Sequence, residues 1–515
     1  MDDRLDTAWA RLPEYLSQHV MLSAAALLLG LAISLPLAIA AHRNAAVRWP
    51  VLTLASIIQT IPSLALLALF YPLLLALSAA TSGLGLQFSA LGFLPSLLAL
   101  TLYSMLPIIR NTVAGLQGVD ADVRDAARGV GMTERQALMQ IELPLAAPVI
   151  MAGVRTAAVW TIGTATLSTP VGQTSLGNYI FTGLQTENWV FVLFGCGAAA
   201  VLALIVDQLL GLIESGVAQR DQRRVLIGAA ALAIGALAAI APTFVTQRPA
   251  YLIGAKSFTE QYILAYLIRD ELEEHGLVGR RRAGLGSSVV FRALAANEID
   301  VYVDYSGTIW TTQMGRTDQP GREAVLSEMT QWLAEEHGVL ALGSLGFENA
   351  YALAMRRDQA EALGVSTISE LSRVAPSLRI GGDFEFFGRP EWQALRTAYG
   401  LRFQNQREYQ STFMYRAVAD GAVDIISAFS SDGRIAALDL VVLEDDRGAI
   451  PPYDAVLLVS PARANDEEFL AALRPLVNAI PVEAMRDASL MVDRETDKLS
   501  VPAAAAALAR QTGLD

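Results

Sequence analysis

Cysteine and lysine are nearly absent from this 515-residue chain, with one Cys at position 196 and two Lys at 256 and 498. A single cysteine excludes a disulfide scaffold. Neither lysine follows a glycine in a phosphate-loop pattern, so the sequence shows no nucleotide site of that kind. Charge is scarce too, at 17%, while hydrophobic residues reach 53%. Soluble domains are about a quarter charged, so this chain is too apolar to be soluble throughout. The same apolar content excludes disorder. A net charge of −13 argues against a nucleic-acid binder.

The charge is unevenly placed. Residues 1–250 carry 13 arginines and 13 acids, whereas residues 251–515 carry 25 basic and 38 acidic residues. The first half is a near-neutral apolar body and the second an acidic globule. A chain of this length has room for about two to four domains.

In the first half, six stretches reach the roughly 20 residues that a bilayer crossing needs: Val20–Ala41, Val51–Leu77, Leu91–Leu116, Ala146–Ser168, Val190–Ile213 and Val225–Val245. The second and third contain Pro62, Pro72, Pro95 and Pro107, which spans packed against neighbours tolerate. The acidic start (Asp2, Asp3, Asp6) and the further spans argue against a signal peptide. Arginines mark alternate loops: Arg43 and Arg48 after span 1, Arg124, Arg128 and Arg135 after span 3, Arg220, Arg223 and Arg224 after span 5. The loops at 78–90 and 169–189 have no Arg or Lys. The rule that basic loops stay inside then puts the N-terminus and residues 246–515 outside. Arg155 and Asp207 lie in or near spans, either paired between helices or functional.

The loop after span 3 reads Asp125-Ala126-Ala127-Arg128-Gly129-Val130-Gly131 and closes on Ile141-Glu142-Leu143-Pro144. This pattern predicts a short amphipathic helix, a glycine break, a second helix and a proline at the start of the next span. A cytoplasmic helix–turn–helix suits a soluble partner. The stretch resembles the coupling loop of ABC-importer permeases, with Asp125 where the motif has Glu. Gln59–Leu66, Leu106–Thr112 and Gly153–Ala157 resemble the permeases of the betaine, choline and carnitine branch. The resemblance covers residues 20–215, except at Gln173–Gly177, where relatives are richer in glycine. It implies that Asp125, Ala126, Ala127, Gly131, Leu143 and Pro144 meet an ATPase subunit, and that the sixth span returns the chain outside.

Residues 250–515 alternate short β-rich runs with helical ones, which predicts an α/β sheet. Examples are Tyr251–Gly254, Thr259–His275 and Asp300–Val303. This length suits two lobes. Catalysis finds little support: there is no zinc spacing and no Gly-x-Ser-x-Gly elbow. His275 and His337 read as solvated helix ends, and Glu444-Asp445-Asp446 as a solvated turn. Tyr305, Tyr351, Phe429 and Tyr453 sit near loops or strand ends. Each alone suits core packing. Together they suit a quaternary ammonium, which ring faces hold at about 0.5–2 kcal/mol per contact.

Five ordered segments resemble the substrate-binding proteins of choline, glycine betaine and carnitine importers: Gly254–Gln261, Asp304–Thr308, Asn349–Leu353, Val423–Gly433, and Leu443–Asp446 with Pro451–Asp454. The resemblance implies Tyr305, Tyr351 and Tyr453 as cage walls, with Phe429 where relatives often have Tyr. It implies Gln261 and Thr308 as polar contacts at the ligand's other end. Arg389 reads either as a partner for a ligand carboxylate or as a surface or interlobe arginine. The branch includes permease–receptor fusions that take up ergothioneine.

The expected architecture is an α-helical, type I ABC importer-like permease, with a five-helix core and one extra span, fused to an α/β two-lobed periplasmic-binding-protein domain. The expected boundaries are an N-terminal segment 1–18, the permease 19–216 with its coupling loop at about 118–145, the sixth span and linker 217–249, and the receptor 250–515. The expected function is ATP-driven import of glycine betaine, choline, carnitine or ergothioneine, with no catalysis, metal or cofactor in this chain, and with ATP and Mg used by the ATPase subunit. A homodimer in lipid, in a bacterial inner membrane with the receptor on the periplasmic side, completes the expectation. Tethering raises the receptor's effective concentration at its pore. Import of a polar amino acid or another small cation fits the same scaffold. A membrane-anchored sensor would need a cytoplasmic output domain, and a tethered enzyme a clustered catalytic set. Neither is visible.

Overall fold

The computed structural model describes residues 3–81, 89, 91–186, 188–244, 250–318, 320–494 and 496–514. Asp2, Val245 and most of the expected 78–90 loop lie outside the described residues. Two units divide the chain: one comprises Leu5–Phe181 and Val190–Gln247, and the other Arg248–Asp515 with two short pieces of the first half.

The first unit is helical: α1 (Asp3–Arg43), α2 (Ala45–Thr60), α3 (Ser63–Thr81), α4 (Phe93–Gln117), α5 (Ala121–Gly129), α6 (Glu134–Ala137), α7 (Leu143–Ala165), α8 (Gly177–Gln185), α9 (Trp189–Gln219) and α10 (Gln222–Phe244). Among the described residues, five helical stretches are long and apolar enough to cross a membrane, or six when one bent pair counts as a span.

That bent pair corrects the continuous second span expected over Val51–Leu77. α2 and α3 meet at 101°. Pro62 has no N–H to continue a helix and drives the preceding residue out of the α region. Ile61 accordingly takes φ −71° and ψ 127°. The hydroxyl of Tyr103 on α4 donates to the Ile61 carbonyl that the break exposes.

The N-terminus is a second difference. Residues 3–18 are the first turns of α1, continuous with the span, so no boundary falls at 18/19. Tertiary packing explains this: Ala8, Leu12, Tyr15 and Leu16 pack with Tyr179 and Phe191, and the Tyr179 hydroxyl donates to the Ala8 carbonyl at 2.6 Å.

Small residues let α4 and α7 approach closely. A Cβ on Gly153 would lie 2.6 Å from the Asn111 side chain and 2.8 Å from the Pro107 carbonyl. Arg155 on α7 binds both oxygens of Asp207 on α9, at 2.5 and 2.7 Å, and reaches Glu214 at 3.4 Å. The two polar residues noticed in the spans are thus each other's partners.

Between α4 and α7 the expected helix–turn–helix is present. Asp120 caps α5 by accepting the Asp122 N–H. The chain reverses at Gly131, whose φ of +84° is open to glycine without strain. A capping box of Thr133 and Gln136 starts α6. One π-turn over Leu138–Glu142 joins it to α7, with Pro144 in the first turn.

The second unit contains two five-stranded sheets. Its strands are β1 (Tyr251–Lys256), β2 (Gly279–Leu285), β3 (Val301–Tyr305), β4 (Leu340–Glu348), β5 (Tyr351–Arg356), β6 (Arg379–Asp383), β7 (Asn405–Tyr409), β8 (Ile425–Phe429), β9 (Leu440–Val442) and β10 (Asp454–Val459). The first sheet runs β2-β1-β3-β10-β4 and the second β7-β6-β8-β5-β9. In the first, β10 is antiparallel to β3 and β4; in the second, β5 is antiparallel to β8 and β9. The other pairings are parallel. The first lobe is therefore discontinuous, and the second is an insertion between β4 and β10. The two crossings run side by side, since the Asn349 N–H donates to the Tyr453 carbonyl at 2.9 Å.

Helix α11 (Thr259–Glu274) buries the run Tyr262–Ile268 in the core of the first lobe. His337 differs from the solvated helix end expected of it, packing edge-on to Trp332 at 4.6 Å. The Glu444–Asp446 turn is tied down: the Tyr399 hydroxyl donates to Asp445, and Asp446 accepts the Ser369 N–H.

Candidate ligand-binding site

The two sheets turn strand ends toward a shared cleft, which is where open α/β sheets hold ligands. A cavity of about 160 Å³ lies there, lined from both lobes. Tyr305 ends β3, Phe258 follows β1 and Tyr453 precedes β10 on the first lobe. Tyr351 opens β5 and Phe429 closes β8 on the second, as cross-strand partners.

The five rings are contiguous. Phe258 stacks on Phe429 with centroids 5.8 Å apart and planes 7° off parallel, and on Tyr305 at 6.2 Å. Tyr351 touches Phe429 at 5.2 Å and meets Tyr453 edge-on at 6.2 Å. Offset and edge-to-face geometries of this kind are the favoured ones.

Buried polar partners hold the rings. The Tyr305 hydroxyl donates to Glu260 and accepts from Gln261 Nε2 at 2.9 Å. The Tyr453 hydroxyl donates to Glu391. Lys256, which also lines the cavity, pairs with buried Asp304, its Nζ 5.1 Å from the Tyr305 ring centre. Glu260 also accepts from Ser431 at 2.5 Å and from Asn349 at 3.1 Å. It thereby joins the first lobe to the second and to the crossing between them. Burial pushes its carboxyl up to about 7, against the pull of those hydrogen bonds.

Of the seven expected ligand residues, six line the cavity: Tyr305, Thr308, Tyr351, Arg389, Phe429 and Tyr453. Gln261 does not. It lies behind the wall, donating to the Val303 carbonyl at 3.0 Å and accepting the Lys256 N–H at 3.2 Å. It orients Tyr305 rather than meeting a ligand. Arg389 spans the lobes: it pairs with Glu391 and Glu385, each at 3.2 Å, and donates to Thr308 Oγ1 at 3.2 Å. Much of its charge is already matched.

Sequence reasoning missed Phe258, Asn349 and Asp383, which also line the cavity, and buried Glu260 and Glu391 behind it. Phe258 lay inside a segment already singled out, an aromatic just past a strand. Asp383 follows Gly381-Gly382 at the end of β6, where an acid beside small residues marks a strand end opening on a cleft. Nothing local marks Glu391, whose partners come from distant elements.

Residues 251–510 match the family described as the substrate binding domain of ABC-type glycine betaine transport systems. The chain belongs to this family. Residues 30–219 of this importer chain match the binding-protein-dependent transport system inner membrane component. A relative in Helicobacter pylori (strain G27), the ergothioneine transport permease/ergothioneine binding protein EgtU, is 29% identical over 472 residues, covering 88% of the importer chain and 82% of the relative. The choline transport system permease protein OpuBB of Bacillus subtilis (strain 168) is 38% identical over 197 residues, 38% of the importer chain and 84% of that protein. A solved glycine betaine/carnitine/choline ABC transporter structure has a TM-score of 0.45 at 24% identity, covering 51% of the importer chain and 98% of that chain. The importer chain is thus a permease fused to its substrate-binding domain, in the glycine betaine/carnitine/choline/ergothioneine family of ABC importers. It is a transporter subunit and not an enzyme, and the ATPase of this family is a separate subunit.

Proposed function

We propose that the chain captures one trimethylammonium compound outside the cell and passes it through its own pore. The candidates are glycine betaine, choline, carnitine and ergothioneine. The observation that carries this reading is the run of five contiguous rings around one interlobe cavity. A quaternary ammonium offers no hydrogen to a carboxylate, and ring faces are what attract it. In this reading Tyr305, Tyr351, Phe429, Tyr453 and Phe258 form the cage. Thr308 and Arg389 face the ligand's polar end, and Arg389 accepts a ligand carboxylate only in competition with Glu391.

Orientation follows the arginine-rich loops. Arg43, Arg48, the α4–α7 connection and Arg220–Arg224 lie in the cytoplasm, and the receptor lies on the periplasmic side of a bacterial inner membrane. The connection carrying Asp125, Ala126, Ala127, Gly131, Leu143 and Pro144 docks on the ATPase subunit, which uses ATP and Mg. Two copies of the chain pair with two ATPase subunits, embedded in lipid, and the chain itself holds no cofactor. Import of a polar amino acid is the second reading, and the buried carboxylate of Asp383 in the cavity favours it.

Calorimetric titration of the full chain in lipid nanodiscs, with the four trimethylammonium compounds and a set of polar amino acids, tests both readings. One trimethylammonium compound binds, and Tyr351→Ala and Tyr305→Ala each weaken it about tenfold or more, about 1.4 kcal/mol per factor of ten. Binding of an amino acid alone removes the substrate class and leaves the importer.

A further inference from the structure

Two buried oxygens beside the ring cage have no hydrogen-bond partner among the described residues. Asp383, 7% exposed, lines the cavity. Its Oδ1 accepts the backbone N–H groups of Glu385 at 2.8 Å and Phe386 at 3.1 Å. Its Oδ2 accepts nothing among the described residues. Asn349, 5% exposed, lines the same cavity. Its Nδ2 donates to Glu260, which fixes the amide and leaves Oδ1 unpartnered.

Buried acceptors are satisfied in nearly all native proteins, because an orphan loses its water and gains nothing. Both cations around this cavity are committed elsewhere, Arg389 to Glu391, Glu385 and Thr308 and Lys256 to Asp304, and the Tyr305 and Tyr453 hydroxyls donate to Glu260 and Glu391. A trimethylammonium group brings no polar hydrogen, and neither does an ionised carboxylate.

We infer that the ligand carries an N–H or O–H donor in addition to its quaternary ammonium, and that Asp383 Oδ2 accepts it. Asp383 then selects donor-bearing trimethylammonium compounds over glycine betaine, which has no such hydrogen. The inference rests on the reading given under Proposed function and narrows it. Burial holds the Asp383 carboxyl above the usual carboxylate range, and a donor arriving with the ligand stabilises its ionised form.

The test uses the full chain in nanodiscs and four probes. Choline and ergothioneine bear a donor. Glycine betaine does not, and neither does n-propyltrimethylammonium, which is choline with a methyl in place of its hydroxyl. The variant is Asp383→Asn, which keeps Oδ1 for the turn and replaces the free oxygen by an NH₂ that meets the ligand's donor head-on. In the wild type a donor-bearing probe binds about tenfold or more tighter than both donorless ones, as expected when a buried acceptor loses its partner. Asp383→Asn weakens that probe about tenfold more than it weakens the donorless ones. Equal affinity for choline and its propyl analogue, with ergothioneine no tighter, overturns the inference alone. So does a loss spread equally over all probes, which makes Asp383 a charge partner of the ammonium, and so does no loss at all, which leaves only water on the two oxygens. If no trimethylammonium compound binds the wild type, the inference falls together with the reading beneath it.

Discussion

At Gly307 a Cβ atom would lie 2.2 Å from the Tyr453 ring. That glycine is the floor on which one cage wall rests, and its backbone conformation has nothing to do with it. Gly307→Ala should therefore displace Tyr453, at about 1–3 kcal/mol of overpacking, and lower ligand affinity measured by calorimetry while the membrane helices stay folded. Glu260 supplies a pH test. Its carboxyl is raised from 4.5 to about 7 by burial, so between those values the folded chain holds a proton that the unfolded chain releases. The stability that this group contributes is then fully present below about pH 4.5 and is lost as pH rises through about 7. Asp493, raised to about 6, and Glu271, raised to about 7, act in the same direction. Thermal unfolding of the receptor across this window should show the fall, and Glu260→Gln should reduce its slope. Four of the five ring residues, all but Phe258, were legible in the sequence because they sit in ordered motifs at strand ends. The role of Gln261 was not, because the turn of α11 that carries it faces back toward Val303, and only the folded lobe reveals this.

At the scale of elements, the sequence marked what local chemistry decides. The amphipathic run from Asp125, the glycine break at Gly131 and Pro144 announced the helix–turn–helix between α4 and α7. Strands β1 and β3 followed from their β-rich runs. What distant contacts decide was hidden: α1 extends to Asp3 because Tyr179 and Phe191 wait for it. Pro62 was visible, but its effect depended on a neighbour able to satisfy the broken backbone, which is Tyr103. Two tests belong here. Gly131→Ala meets no steric obstacle but forces a non-glycine residue to φ +84°, at a cost of about 1 kcal/mol. Ligand binding should survive it, and ligand-stimulated ATP hydrolysis by the assembled complex should fall. Arg155→Ala strands Asp207 and Glu214 without their cation in a membrane helix, where unpaired charge is costly. The yield of folded protein should drop, and adding Asp207→Asn should recover part of it.

At the scale of the molecule, two materials in one chain were plain from charge alone, and their boundary falls where the −13 begins to accumulate, near residue 250. Native mass spectrometry of the chain with its ATPase should find two copies of each, and hence two receptor sites per complex. The way the receptor is wired has a mechanical consequence. The chain leaves α10 for β1, and the last helix, Val501–Thr512, packs on α11, so both ends of the receptor belong to one lobe. The other lobe, Tyr351 to Val442, has no free end and hangs from two adjacent strands like a door on a double hinge. What latches this door shut is the cargo together with side chains that reach across from one lobe to the other, among them Glu260, Arg389, Glu391 and Glu385.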